Sequence, residues 1–256
     1  MRSALSPLAA GQGTRIRSAH GACPKCLIRF NHTDWTILDQ QIDALFSAGV
    51  GLIGIVVGYE KGQIIRHVKD NYRGLLDRFQ FIENPLFAET NNIYSLWLAR
   101  EWLTGSSFVC LNADVAFDRE VLVPALSATA PVTMIVDPAW REETMKVIIA
   151  RNRIIQMNKQ ISRKDFSATY IGVTAFKARV QGRLFARIED LIRAGKQNVF
   201  FNVAVQKLAD EGLVVGYTET YGLPWAEVDD PGDLNFARLH VFPKLAPMPA
   251  AAWTHT

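Results

Sequence analysis

The feature that most limits how this chain can fold is an alternation of two periodicities. Short runs rich in β-branched and apolar residues are separated by segments whose apolar positions recur at helical spacing. Residues 51–59 (GLIGIVVGY) and 107 to about 112 (SFVCLN) predict buried strands, as do 131–137 (PVTMIVD), 144–150 (TMKVIIA) and 169–176 (TYIGVTAF). Residues 35–49 set Ile37, Leu38, Ile42, Leu45 and Phe46 at helical spacing and end on Gly49, suited to the position after a helix C-cap. Residues 91–103 do the same with Ile93, Leu96, Trp97 and Leu103 behind capping residues Asn91 and Asn92, and another helix is predicted near 198–212. Strands alternating with helices predict an α/β sheet covered on both faces. Pro7 is awkward for a first strand, because a central strand needs the amide donor that proline lacks.

Composition narrows the partners. The chain has 256 residues, 49% hydrophobic and 21% charged, which is ordinary globular usage. Net charge is only +3 and no run of five basic residues occurs, so nucleic acid is not an expected partner. The longest apolar stretch, near Leu45 to Val57, is broken by Ser47 and glycines and falls short of the ~20 residues that span a bilayer. No membrane association and a cytoplasmic location are expected. Cys23 and Cys26 form a C-x-x-C pair, but Cys110 stands alone and His20, His32, His67, His240 and His255 are scattered. Neither a second pair nor histidines at metal spacing complete a zinc site, so ordinary thiols are expected. Residues 1–245 are expected to form the domain and 246–256 a loose tail.

The segment LAAGQGTRIRSAHGACPKCL, residues 8–27, is glycine-rich and basic. A P-loop requires Gly-Lys-Ser/Thr separated from its first glycine by four residues, and no Gly-Lys occurs in the segment. The dinucleotide fingerprint fits Gly11 and Gly13 but meets Ile16 at its third glycine. A loop after a first strand that offers backbone amides to a triphosphate fits better, with Arg15 and Lys25 adding positive charge.

LAAGQGTRI…PKCL resembles the signature of nucleotidyltransferases that join a nucleoside triphosphate to a phosphorylated small molecule and release pyrophosphate. IVVGY, NPLFAETNNIYSLWLA and WAEVDDPGDL resemble the bacterial CTP:phosphocholine cytidylyltransferase branch. EETMKV, the pair Asn158–Lys159 and YIGV resemble a central segment shared with sugar-phosphate and inositol-phosphate nucleotidyltransferases. The resemblance runs from about residue 5 to 240. It departs at Pro7, at Cys26 and at Asn112–Ala113, where glycine usually precedes the acid.

The resemblance implies a single Rossmann-like, GT-A-like α/β domain with a mostly parallel, mixed central sheet flanked by helices. It also implies residue roles. Asp114 and Asp229 would hold Mg2+, Lys25 would neutralise the α-phosphate, and Arg15 would bind the β and γ phosphates. Leu8, Ala9, Ala10, Gly11, Gly13, Asn84 and Ser95 would hold and read the nucleotide. Lys159, with Lys146 as helper, would meet the acceptor phosphate, and Trp140, Tyr170, Tyr221 and Trp225 are candidates for a cage around an acceptor ammonium. Asp230 and Asp233 are expected to cap a helix. CTP and a small phosphorylated or phosphonate amine or alcohol are the expected substrates, with a homodimer allowed. The rivals are a sugar- or inositol-phosphate nucleotidyltransferase, a non-catalytic nucleotide sensor and a nicotinamide-dependent oxidoreductase.

Overall fold

The computed structural model describes residues 3–8, 16, 21, 23–31 and 33–245. The expected tail, residues 246–256, lies outside them, as do Ala9, Ala10, Gly11, Gly13 and Arg15.

Eleven strands are described: β1 (Ser3–Leu8), β2 (Leu52–Val57), β3 (Phe79–Glu83), β4 (Phe108–Leu111), β5 (Val115–Phe117), β6 (Val132–Asp137), β7 (Lys146–Ala150), β8 (Arg153–Asn158), β9 (Ala168–Phe176), β10 (Val215–Glu219) and β11 (Trp225–Glu227). The main sheet runs β10-β6-β9-β4-β1-β2-β3, with the β7–β8 hairpin attached to the start of β9. Along that path β9 alone runs antiparallel, against both β4 and β6. This is the α/β sheet covered on both faces that the alternation of periodicities predicts, and it is mixed, as the resemblance implies. Pro7 is accommodated because β1 pairs with β4 only as far as Leu5, and its register against β2 shifts between Leu5 and Leu8. The proline falls where no ladder bond is asked of it.

Alternation along the strands buries both faces. Ile53 and Ile55 of β2, Val109 and Leu111 of β4, and Ile171 and Val173 of β9 enter one core cluster. Val56, Phe108, Cys110, Met134, Val136 and Tyr170 enter a second. The first face is covered by α1 (Ile37–Ser47), α2 (Lys61–Asn71) and α5 (Leu122–Ser127). The second is covered by α3 (Asn92–Leu98), α6 (Gln181–Arg193) and α7 (Asn202–Asp210). The helix expected over 91–103 breaks at Ala99 into α3 and α4 (Arg100–Leu103). Gly49 occupies the predicted place after the α1 cap with φ +76°.

A second, two-stranded ribbon pairs β5 antiparallel with β11 and stands beside the main sheet. Ala116, Ala226 and Val228 are buried on its far side with Ile16, Ile28, Phe30 and Leu234 of α8 (Pro231–Phe236). Ile16, the residue that spoils the dinucleotide fingerprint, is fully buried and anchors the chain after the glycine segment to the ribbon's rear face.

Candidate active site

The site forms where β1, β2, β3 and β4 all end, because those strands are parallel. In such sheets ligands bind beyond the carboxyl ends of the strands. Pro24, with φ −54° and ψ 138°, leads extended into the 3-10 turn Lys25–Leu27. Cys26 is buried from that turn, and three residues per turn send Lys25 elsewhere. Its Nζ is 3.3 Å from Asp114 Oδ2 and also pairs with Asp229 Oδ1.

The two acids are brought together by the ribbon. Asp114 immediately precedes β5 and Asp229 follows β11 by two residues, while the Val228 amide donates to the Asp114 carbonyl at 2.8 Å. The Asp114 turn is held from two sides. From α1, Gln41 Nε2 donates to the Asn112 and Val115 carbonyls, each at 2.8 Å, and Gln40 grips the backbone of Phe117. From β9, the Gly172 carbonyl accepts the Asn112 amide at 2.9 Å. Gly172 has φ +89°, and a Cβ there would lie 2.8 Å from Val115 Cγ2, so this strand position requires glycine on two counts. Helix capping is left to Asp230 and Asp233, whose carboxylates form a capping box on α8, as expected. Asp229 is therefore not consumed by the cap and turns to Lys25.

These groups are sheltered: the side chains of Lys25, Asp114 and Asp229 are 14%, 21% and 25% exposed. Burial works against the Lys25 ammonium, yet Asp114 and Asp229 outweigh it and raise its pKa. Burial raises the Asp114 pKa, opposed by Lys25 and reinforced by Asp229. Glu227, at the end of β11, is pushed up to about 8 by burial and then by the charges of Asp114 and Asp229. Its backbone pairs with Val115 in the ribbon, and among the described residues its side chain makes no hydrogen bond.

A family model described as a MobA-like NTP transferase domain matches residues 8–170. The chain belongs to that family. CTP:phosphoglutamine cytidylyltransferase of Campylobacter jejuni is 25% identical, over 89% of this chain and 96% of its own length. 2-Aminoethylphosphonate cytidylyltransferase of Lancefieldella rimae is 35% identical, over 46% of this chain and 45% of its own. Among solved structures, the inositol-1-phosphate CTP transferase from T. maritima shares the fold with TM-score 0.79 and 22% identity, over 95% of each chain.

The nucleotidyltransferase thus has Lys25, Asp114 and Asp229 in one place, as its sequence predicts. Asn84 and Ser95, expected to hold the nucleotide, are joined to each other. Asn84, just past β3, donates from Nδ2 to Thr90 Oγ1 at 3.1 Å and Ser95 Oγ at 3.2 Å, and its Oδ1 accepts the Leu86 amide. Both side chains are buried, so they fasten the β3 exit to α3.

The expected aromatic cage is corrected by the packing. Tyr170 is a core residue of β9 whose hydroxyl accepts from Thr174 Oγ1 at 2.8 Å; the apolar face of its strand keeps it out of the site. Tyr221 is 72% exposed in a turn. Trp225 is buried with Nε1 donating to Asp137 Oδ2 at 2.9 Å, and the Arg141 guanidinium lies 4.2 Å from its ring centroid. Trp140 carries Lys146 Nζ at 4.7 Å and Arg163 at 5.7 Å from its ring. Lys146 is also corrected: it is 2% exposed, and its Nζ donates to the carbonyls of Glu142, Thr144 and Lys159. It fastens the loop after β6 to the turn after β8, while Lys159 Nζ lies 5.2 Å from the Phe200 ring centroid. Gln40, Gln41, Gly172, Glu227 and Arg141 escaped the sequence reading. The paired glutamines of α1, buried together with Asp39 and Asp43, were the one local sign available.

Proposed function

We propose that this transferase is a cytidylyltransferase that moves CMP from CTP to a small phosphorylated or phosphonate acceptor and releases pyrophosphate. The observation that carries the reading is Lys25 held between Asp114 and Asp229 at the strand ends. CTP as donor is supported by the cytidylyltransferase names of both curated relatives. An acceptor phosphate oxygen attacks the α-phosphorus, forming one P–O bond as the bond to the bridging oxygen of pyrophosphate breaks. No general base is needed, because the acceptor oxygen is already ionised near neutral pH. Lys25 faces the charge that grows on the α-phosphate, a role in which one preorganised donor contributes roughly 3 kcal/mol. Lys159 orients the acceptor phosphate. Arg15 and the glycine segment would receive the β and γ phosphates.

The donor set suits a divalent cation. Asp114 and Asp229 offer hard carboxylate oxygens that converge on one positive charge, the Lys25 ammonium. Among the described residues no cluster of three or more metal-ligating side chains forms, so phosphate oxygens and water would complete the coordination of Mg2+, as that ion prefers. Bound there, Mg2+ would supply Lewis-acid polarisation of the α-phosphate. No described helix is long and apolar enough to cross a membrane. The use of CTP suits a cytoplasmic enzyme.

Pyrophosphate release tests the reading, crossing CTP, UTP, GTP, ATP and dTTP with 2-aminoethylphosphonate, phosphocholine, phosphoethanolamine, inositol 1-phosphate and glucose 1-phosphate. Turnover confined to CTP supports it. Turnover with UTP and glucose 1-phosphate would replace it with the sugar-phosphate reading.

A further inference from the structure

We propose that the acceptor carries a carboxylate in addition to its phosphate or phosphonate, and that Arg141 binds it; this deepens, and rests on, the cytidylyltransferase reading. The argument starts with the parity of β11. Ala226 is buried under the ribbon, so Trp225 and Glu227 share the opposite face, and Asp229 follows two residues after the strand ends. Arg141 is stacked on Trp225 at 4.2 Å, with Phe236 at 5.4 Å. Its guanidinium therefore lies over the ribbon face that also carries Glu227, two residues or about 7 Å along the strand at ~3.3 Å per residue. Lys159, in the turn after β8, has its Nζ 5.2 Å from the Phe200 ring centroid.

Arg141 has nothing anionic to hold. Among the described residues it makes no ion pair, and none of the other positions of the chain is Asp or Glu. A planar, half-buried guanidinium with its edge free is shaped for a carboxylate, which it binds through two parallel hydrogen bonds. The aromatic rings argue in the same direction. A quaternary ammonium needs an open ring face, but Trp225 bears Arg141 while Trp140 bears Lys146 and Arg163. A cationic head group would meet like charge at both tryptophans. A carboxylate would meet complementary charge, with its phosphate left to Lys159.

Matched acceptors that differ by one carboxylate test the proposal: O-phosphoserine against phosphoethanolamine, and 2-amino-4-phosphonobutyrate against 3-aminopropylphosphonate, with phosphocholine as the cationic extreme. The carboxylated member of at least one pair is expected to show a tenfold or greater advantage in kcat/KM with CTP, carried by KM. Arg141→Gln is expected to bring that ratio to about one, with the melting temperature reporting that the variant folds. Equal or lower kcat/KM for the carboxylated member of both pairs would overturn the proposal, as would a preference that survives in R141Q. Calorimetric binding of each acceptor to protein loaded with a non-hydrolysable CTP analogue keeps the two readings apart. A failure of the CTP analogue to bind would defeat the cytidylyltransferase reading and this proposal with it. A loaded protein that binds both members of each pair equally would defeat only the carboxylate.

Discussion

Lys25 sits between two carboxylates that would repel each other without it, so its removal takes charge from the reaction and leaves like charges facing each other. Lys25→Ala is expected to lower kcat by about 10²–10³-fold in the pyrophosphate assay, the range seen when a single charge-stabilising donor is removed. A loss below tenfold would remove Lys25 from the chemistry. Asp43 on α1 behaves in the opposite manner. It is nearly buried, its Oδ1 has no hydrogen-bond partner, and Arg119 approaches only to 3.7 Å. Burial, stronger than the pull of Arg119, pushes its carboxyl up to about 6. The unfolded value is near 3.9, so between about pH 4 and 6 the folded chain binds more protons than the unfolded one. Stability therefore falls as pH rises through that window, and at neutral pH the ionised form is a cost. Asp43→Asn is expected to raise the unfolding free energy at pH 7 by roughly 1–3 kcal/mol, and by less at pH 4, in urea titrations at the two pH values. An equal gain at both would refute the titration account.

At the scale of elements, the β5–β11 ribbon decides whether there is a site. Its strands are three residues each, too short to be stable alone, and are supported by α1 through Gln40 and Gln41 and by β9 through Gly172. Gly172→Ala would put a Cβ 3.0 Å from Asn112 Nδ2 as well as against Val115, at a φ that L side chains rarely adopt. Backbone strain and overpacking together imply a loss of about 2–4 kcal/mol. Activity at a temperature where the variant stays folded is expected to fall further than stability alone requires, because the displaced segment carries Asp114. Thermal melts beside kcat measurements check this, and a variant with wild-type kcat would show that the turn tolerates the shift.

Across the whole molecule, what the sequence reveals depends on how local the cause is. Strands β2, β4, β6 and β9 were legible from runs that bury both faces, β7 from an apolar run that is only partly buried, and α1 and α7 from their spacing. The direction of β9 was not, since an apolar run carries no sign of its orientation. Strands β5 and β11 were not, since three residues offer no period to read. The same division holds in the site. Lys25, Asp114 and Asp229 stand in recognisable motifs, whereas the tryptophans looked like a cage because composition cannot say that Arg141, Lys146 and Arg163 already cover their faces. The pairing of Lys25 with Asp114 closes a separation of 89 positions and that with Asp229 one of 204. Such closure is late and slow compared with local contacts. During translation, β1 to β4 and Lys25 are therefore made long before the protein can act. Ribosome-stalled chains that end before Trp225 are expected to release no pyrophosphate from CTP, and chains stalled once the ribbon has cleared the exit tunnel to recover it. Birth of the chain and birth of the catalyst are separated by the time it takes to make its far acid, so a half-synthesised polypeptide spends no nucleotide.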